Sequence, residues 1–181
     1  NLQSRRVVEV IERDGEGLNL TAEVVDGIVG HTGKASPPHT REGMVVRFCD
    51  KIAYINHDIE DAIRGGVLTQ EMLPENPIRI LGETKSQRIT TLVRSLVEGG
   101  AGEIHMDPVV KQAHDELRSF MFEYVYMRDW VLNEERKASR MIEMLFGYLM
   151  EHPERMPNDY IERGFKEGVE RSVADFVAGM T

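Results

Sequence analysis

Apolar residues recur at helical spacing along nearly the whole chain, and glycine and proline clusters punctuate them. Val7, Val8 and Ile11 share one face of a first segment that stops at the glycine-rich "RDGEG". Thr21 is placed to cap a second helix through Val24, Val25 and Ile28, ending near "GHTG". "KASPPH" reads as a loop, because two successive prolines disfavour helix. Thr40 can cap a third helix that runs to the glycine pair at 65–66, and "LPENP" reads as a break after it. "TKSQ" at 84–87 has capping-box spacing and opens a helix carrying Ile89, Leu92, Val93 and Leu96. Asp107-Pro108 opens the next, with Leu117, Phe120, Met121 and Tyr124, since proline suits a first helical position. A long helix follows "RDWVLN" with Met141, Ile142, Leu145, Phe146 and Leu149, and "HPERMP" stops it. The last segment, "VERSVADFVAGM", is again amphipathic. No strand-like alternation or internal repeat appears. The pattern predicts one all-α domain over residues 1–181, a bundle of about seven helices with short loops.

Composition narrows the function classes. A length of 181 residues allows a sizeable core, and 41% hydrophobic with 29% charged residues is ordinary for a globular protein. The formal net charge of −9 disfavours a general nucleic-acid surface; a nucleotide would need local cations or a metal. One cysteine, Cys49, rules out an internal disulfide, and no apolar run approaches the roughly 20 residues of a membrane span. These features lead us to expect a cytoplasmic protein with no membrane partner. The ten methionines read as core filler, and Cys49 as a buried inert thiol.

The helix over 41–64 carries the candidate chemistry. At about 100° per residue, Phe48, Ile52, Ile55, Ile59, Ala62 and Ile63 share one stripe. Arg47, Asp50, Tyr54, His57, Asp58 and Asp61 share the opposite one. A solvated acidic face explains this pattern. A ligand-binding wall also does, because Tyr54 stands mid-face with Asp50 and Asp58 each four positions away and Lys51 beside Asp50. A carboxylate for a metal, a cation for phosphate, then a ring and a further acceptor would suit a nucleotide. Periodicity leaves both readings open.

"RFCDKIAYINHDIEDAI" resembles a segment of the bacterial deoxyguanosinetriphosphate triphosphohydrolase-like proteins, members of the HD superfamily of metal-dependent phosphohydrolases. The resemblance extends to "NLQSRRVVE", "GLNLTAEVVDGIVGHTG", "RMIEMLFGYLMEHPERMP" and "VADFVAGMT", in the family's order. It implies the C-terminal part of an all-α HD-type fold. It also implies a divalent metal such as Mg or Mn, a deoxynucleoside triphosphate substrate, and release of deoxynucleoside and inorganic triphosphate. In it Asp50 matches the last of the family's four metal ligands and Lys51 a phosphate-contacting lysine. Tyr54 matches the tyrosine packed at the deoxyribose, and Asp58 the acceptor of the 3′-hydroxyl. A homo-oligomer is a further expectation.

The two literal His-Asp pairs, His57-Asp58 and His114-Asp115, lack the Gly-His context that follows the superfamily's metal doublet. We therefore expect His57 exposed or at the cleft edge, and His114 on a helix surface. The upstream histidine, the metal doublet and the catalytic histidine have no counterpart in the 181 residues, which open at Asn1. The expectation is a fragment that lacks the N-terminal half of the same protein, holds metal weakly and is inactive alone. No residue is assigned as catalytic. The alternative is a non-catalytic helical module for assembly or regulation. His31 reads as a helix cap, with a cleft contact as the alternative; Arg88, Arg94, Arg118 and Arg128 could contact phosphate but read as mostly solvated; Tyr124, Tyr126 and Trp130 read as packing or interface residues.

Overall fold

Capping chemistry sets where three of the helices begin, and the apolar stripes decide which faces meet. A computed structural model describes residues 2–32, 35–100 and 103–180. Among these residues the chain is helical throughout, with no strand. The helices are α1 (Leu2–Arg6), α2 (Ala22–Gly30), α3 (Arg41–Arg64), α4 (Glu75–Leu81), α5 (Lys85–Gly99), α6 (Pro108–Met121), α7 (Asp129–Glu151), α8 (Asn158–Glu167) and α9 (Val169–Ala178). Two wider π turns extend helices: Val7–Ile11 after α1, and Phe122–Tyr126 after α6.

The expected caps on α3, α5 and α6 are in place. Thr40 accepts from the Gly43 amide at 3.0 Å, and Thr84 and Gln87 form a reciprocal capping box. The Asp107 carboxylate accepts from Val109 and Val110, with Pro108 at the first helical position. Thr21 precedes α2 but makes no capping hydrogen bond. Two helices were not legible as such. In α4 a proline, Pro77, falls in the first turn, where its missing N–H costs nothing. α8 is ten residues long and follows the proline-rich stop. α4 overlaps the break read at "LPENP", and α8 lies just beyond the stop read at "HPERMP". The "RDGEG" stop is a left-handed turn, with positive φ at Arg13, Asp14, Gly15 and Gly17. A Cβ on Gly17 would lie 2.3 Å from the Glu9 carbonyl oxygen, so the turn requires glycine there.

The helices group into two units, Leu20–Arg128 and Leu2–Asn19 together with the chain from Asp129 on. In the first, Ile52, Ile55, Ile59 and Ala62 of α3 are buried, as the stripe predicted. They belong to one core with Leu81 of α4, Leu92 and Leu96 of α5, and Ala113, Leu117 and Met121 of α6. In the second, Leu149, Met156 and Val173 form a smaller core. Buried Asp175 of α9 accepts from Gln3 at 2.9 Å, Arg6 at 2.7 Å and Arg171 at 2.9 Å, tying α1 to α9. Burial pushes the Asp175 carboxyl up, but hydrogen bonds from Arg6 and Gln3 and the nearby positive charges outweigh it. The group stays below the usual carboxylate range.

Several burial expectations are corrected. Arg47, assigned to the wet stripe, is buried and donates to the carbonyls of Gly30 and Thr32. A guanidinium can bridge two such carbonyls, which a hydrophobic periodicity cannot foresee. Arg88, expected in solvent, is buried with Nε on Asn56 Oδ1 at 2.9 Å and Nη1 on the Glu83 carbonyl at 2.7 Å. Cys49 is exposed, because it falls just outside the stripe that α3 buries. Of the methionines only Met106, Met121 and Met156 are core residues, whereas Met72, Met127, Met141, Met144, Met150 and Met180 are exposed.

Candidate nucleotide-binding recess

A recess of about 210 Å³ opens between α3 and α6. α3 contributes Asp50, Lys51 and Tyr54, so three of the four residues singled out from the sequence line one cavity. Its other wall is formed by His114, Arg118, Phe122 and Tyr126. These four follow one another at four-residue intervals on α6 and its π turn. Four residues of an α-helix overshoot a full turn, so such a file drifts around the axis. A π turn winds less per residue, and Phe122–Tyr126 returns Tyr126 to the side that faces α3. The sequence signal was there, a four-step file of polar and aromatic residues. What was missing was the knowledge that α6 faces Tyr54.

Asp58, one turn beyond Tyr54, does not line the recess but is joined to it. The Tyr126 hydroxyl donates to Asp58 Oδ2. Burial, then the hydrogen bond to Asp58 and its negative charge, push the Tyr126 phenol far above its ordinary value. The Tyr54 and Tyr126 rings lie 6.2 Å apart, and Phe122 meets Tyr126 edge-on at 5.1 Å. The Arg118 guanidinium lies over the Phe122 ring at 5.0 Å. Tyr126, expected to pack or to serve an interface, is therefore the link between Asp58 and the aromatic side of the recess.

Cations concentrate here although the whole chain is acidic. Burial, followed by the positive charges of Arg47 and Arg118, lowers the Lys51 ammonium below the usual lysine value. The site thus holds several positive charges near one another, with Tyr54 and Asp50 at its mouth, both exposed. His114 is the largest correction. It is 4% exposed rather than on a helix surface, and its Nδ1 lies 3.5 Å from Asp115 Oδ1. Its Nε2 has no hydrogen-bond partner. Burial is the main cause that holds the ring below the ordinary histidine pKa, against the opposing pull of Asp115. His57, by contrast, is exposed and donates from Nδ1 to the Ala53 carbonyl of its own helix at 2.7 Å, away from any site. His31 accordingly sits at the end of α2, its Nδ1 2.6 Å from the Ile28 carbonyl.

A larger recess of about 590 Å³, between α2 and α3, is lined by Val24, Gly27, Ile28, Gly43 and Val46 together with Glu23, His31, Thr40 and Glu42, and no lysine or arginine is among its lining residues. The fit to a divalent metal is partial. Among the described residues no three His, Cys, Asp or Glu side chains are placed to share an ion. These residues offer the Asp50 carboxylate, not a complete set of ligands. No described helix is long and apolar enough to cross a membrane.

The chain that carries this cationic, aromatic-lined recess resembles known proteins. Residues 104–181 match the family described as phosphohydrolase-associated domain. Over its whole length the chain is similar to deoxyguanosinetriphosphate triphosphohydrolase-like proteins. It is 48% identical to the one from Caldanaerobacter subterraneus subsp. tengcongensis, an alignment covering 99% of this chain and 53% of that protein. It is 42% identical to the one from Clostridium perfringens strain 13, covering 100% and 56%. The relative from Desulfatibacillum aliphaticivorans is 38% identical, covering 99% and 57%. The chain thus spans about half the length of the curated relatives it matches.

Proposed function

We propose that this chain forms one wall of the active site of a metal-dependent deoxynucleoside triphosphate triphosphohydrolase. The overall reaction converts a deoxynucleoside triphosphate and water into deoxynucleoside and inorganic triphosphate. The observation that carries this reading is the convergence of Asp50, Lys51 and Tyr54 with Arg118 and Tyr126 on one recess. Lys51 and Arg118 would hold the triphosphate, whose negative charge offsets their mutual repulsion. Tyr54 would pack beneath the sugar, close enough to disfavour a 2′-hydroxyl. Asp58, oriented by the Tyr126 hydroxyl and with lone pairs to spare, would accept from the 3′-hydroxyl. Asp50 would be one ligand of the metal, and the other ligands would come from outside these 181 residues. No step of the hydrolysis is assigned to this chain. A cytoplasmic, self-associating enzyme belongs to the same reading.

The test uses the chain itself. Calorimetry with Mn should show no tight binding, because one carboxylate is a weak site. Incubation with dGTP should release no triphosphate. Sub-micromolar Mn binding, or triphosphate release that survives repurification, would overturn the assignment of a shared site. Inorganic triphosphate should nonetheless shift the NMR signals of α3 and α6, and Lys51→Ala should abolish those shifts. If the signals do not move, the recess is not a phosphate site.

A further inference from the structure

Among the described residues, neither cation of the recess has a carboxylate partner. Elsewhere Lys85 pairs with Glu60, Lys111 with Asp115 and Lys137 with Glu134. The Lys51 and Arg118 side chains, which line the recess, make no hydrogen bond or ion pair with a described residue. Each lies instead over a phenylalanine close by in sequence. The Lys51 ammonium is 6.0 Å from the centre of the Phe48 ring, and the Arg118 guanidinium is 5.0 Å from that of Phe122. A ring face attracts a cation within about 6 Å, so the Lys51 contact stands at the limit and the Arg118 contact inside it. Arg128 is a contrast. It lies over Tyr124 at 5.7 Å, but its Nε also donates to the Tyr124 carbonyl. Phe122 lines the same recess as Arg118, four residues further along the chain, and opens the π turn that ends at Tyr126.

We propose that Phe122 is a positioning residue for phosphate binding: its ring seats the Arg118 guanidinium at the recess without neutralising it. The inference rests on the reading of the recess as a triphosphate site. A carboxylate in the place of the ring would also hold Arg118. It would cancel the charge, however, and take up the donors that a phosphate needs. A ring leaves those donors free. The five N–H bonds of a guanidinium point outward in its plane, whereas a ring engages its face, so ring contact and hydrogen bonds to a phosphate form together. Arg118 is exposed, and a long exposed side chain loses rotamer freedom when a ligand fixes it. The ring removes part of that loss in advance. Phe122 acts through Arg118 and needs no contact of its own with the ligand.

The test titrates the chain with inorganic triphosphate and reads affinity by NMR, with phenylalanines carrying one, two or three ring fluorines placed at position 122 alone. Fluorine withdraws charge from the ring face and leaves size and shape nearly unchanged, so a purely structural role would not respond to it. Affinity should fall stepwise with each fluorine. Phe122→Leu, apolar but without such a face, should bind triphosphate about two- to fivefold more weakly, as expected for an exposed cation–π contact. Circular dichroism checks that its helicity is that of wild type. The Arg118 side-chain N–H signal should keep its ring-current shift in the triphosphate-bound chain and lose it in Phe122→Leu. Affinity indifferent to fluorine overturns the proposal. So does tighter binding by Phe122→Leu, or loss of the ring-current shift on binding, since either means that ring and phosphate compete for Arg118. If the signals of α3 and α6 do not move with triphosphate at all, the phosphate reading itself fails and takes this inference with it. If they move but fluorine has no effect, only the role of Phe122 falls.

Discussion

The two faces of α3 should respond oppositely to truncation. Ile59 is fully buried in the core of the first unit. Ile59→Ala removes three carbon atoms from it, and at about 0.8 kcal/mol for each buried methylene-sized group the transfer term alone is about 2.4 kcal/mol. The cavity left in this core adds to this, which places the total at roughly 2–5 kcal/mol. Asp50 and Tyr54 lie on the opposite face, and Tyr54 is 58% exposed. Asp50→Ala and Tyr54→Ala should therefore stay within about 0.5 kcal/mol. The assay is urea unfolding followed by far-ultraviolet circular dichroism. The only tryptophan, Trp130, belongs to the other unit, and its fluorescence would report on the wrong core. A midpoint for Asp50→Ala as low as that of Ile59→Ala would show that the recess face is structural, and the functional assignment of α3 would lose its basis. An Ile59→Ala midpoint equal to wild type would refute the core assignment itself.

Two further outcomes follow from the ion and hydrogen-bond networks. Tyr126→Phe deletes the donor to Asp58, a hydrogen bond to a charged group in a half-buried setting. It should cost about 1.5 kcal/mol, the low end for charged partners, and an unchanged urea midpoint would mean that Asp58 is held by something else. In the second unit, Asp175 has a depressed carboxyl pKa in the folded state. The unfolded carboxyl takes up its proton near pH ~4 while the folded one is still ionised. The stabilisation is therefore complete above that pH and drains away as pH falls through the lower folded value. Trp130 fluorescence in urea between neutral and acid pH should show this loss, and Asp175→Asn should be less stable at neutral pH with a flatter acid dependence. A variant with the same acid slope as wild type would exclude Asp175 as its source.

Local chemistry made much of this protein readable in advance. The caps at Thr40, Thr84 and Asp107 act within four residues, so the beginnings of α3, α5 and α6 were written in adjacent letters. The α3 stripe was equally legible, since 3.6-residue periodicity is a property of one segment. α4 and α8 were hidden because a proline in or before the first turn is compatible with helix yet looks like a stop. Asp50, Lys51 and Tyr54 could be picked from one helix face and from resemblance. Arg118 could not be told from Arg88, Arg94 and Arg128 as a phosphate contact, Tyr126 was assigned to packing or an interface, and His114 was placed on the wrong side of its helix.

The sequence by itself determined the all-helical class and the buried face of α3. Each of these depends on interactions between neighbours three or four positions apart. Only the tertiary structure decided that α6 supplies the opposing wall, that Tyr126 reaches Asp58 from 68 residues away, and that Arg47 and Arg88 are buried. The reason is that burial of a polar side chain depends on whether a distant segment brings it an acceptor. Arg47 is buried because the carbonyls of Gly30 and Thr32 are there to receive it, and Arg88 because Asn56 and Glu83 are.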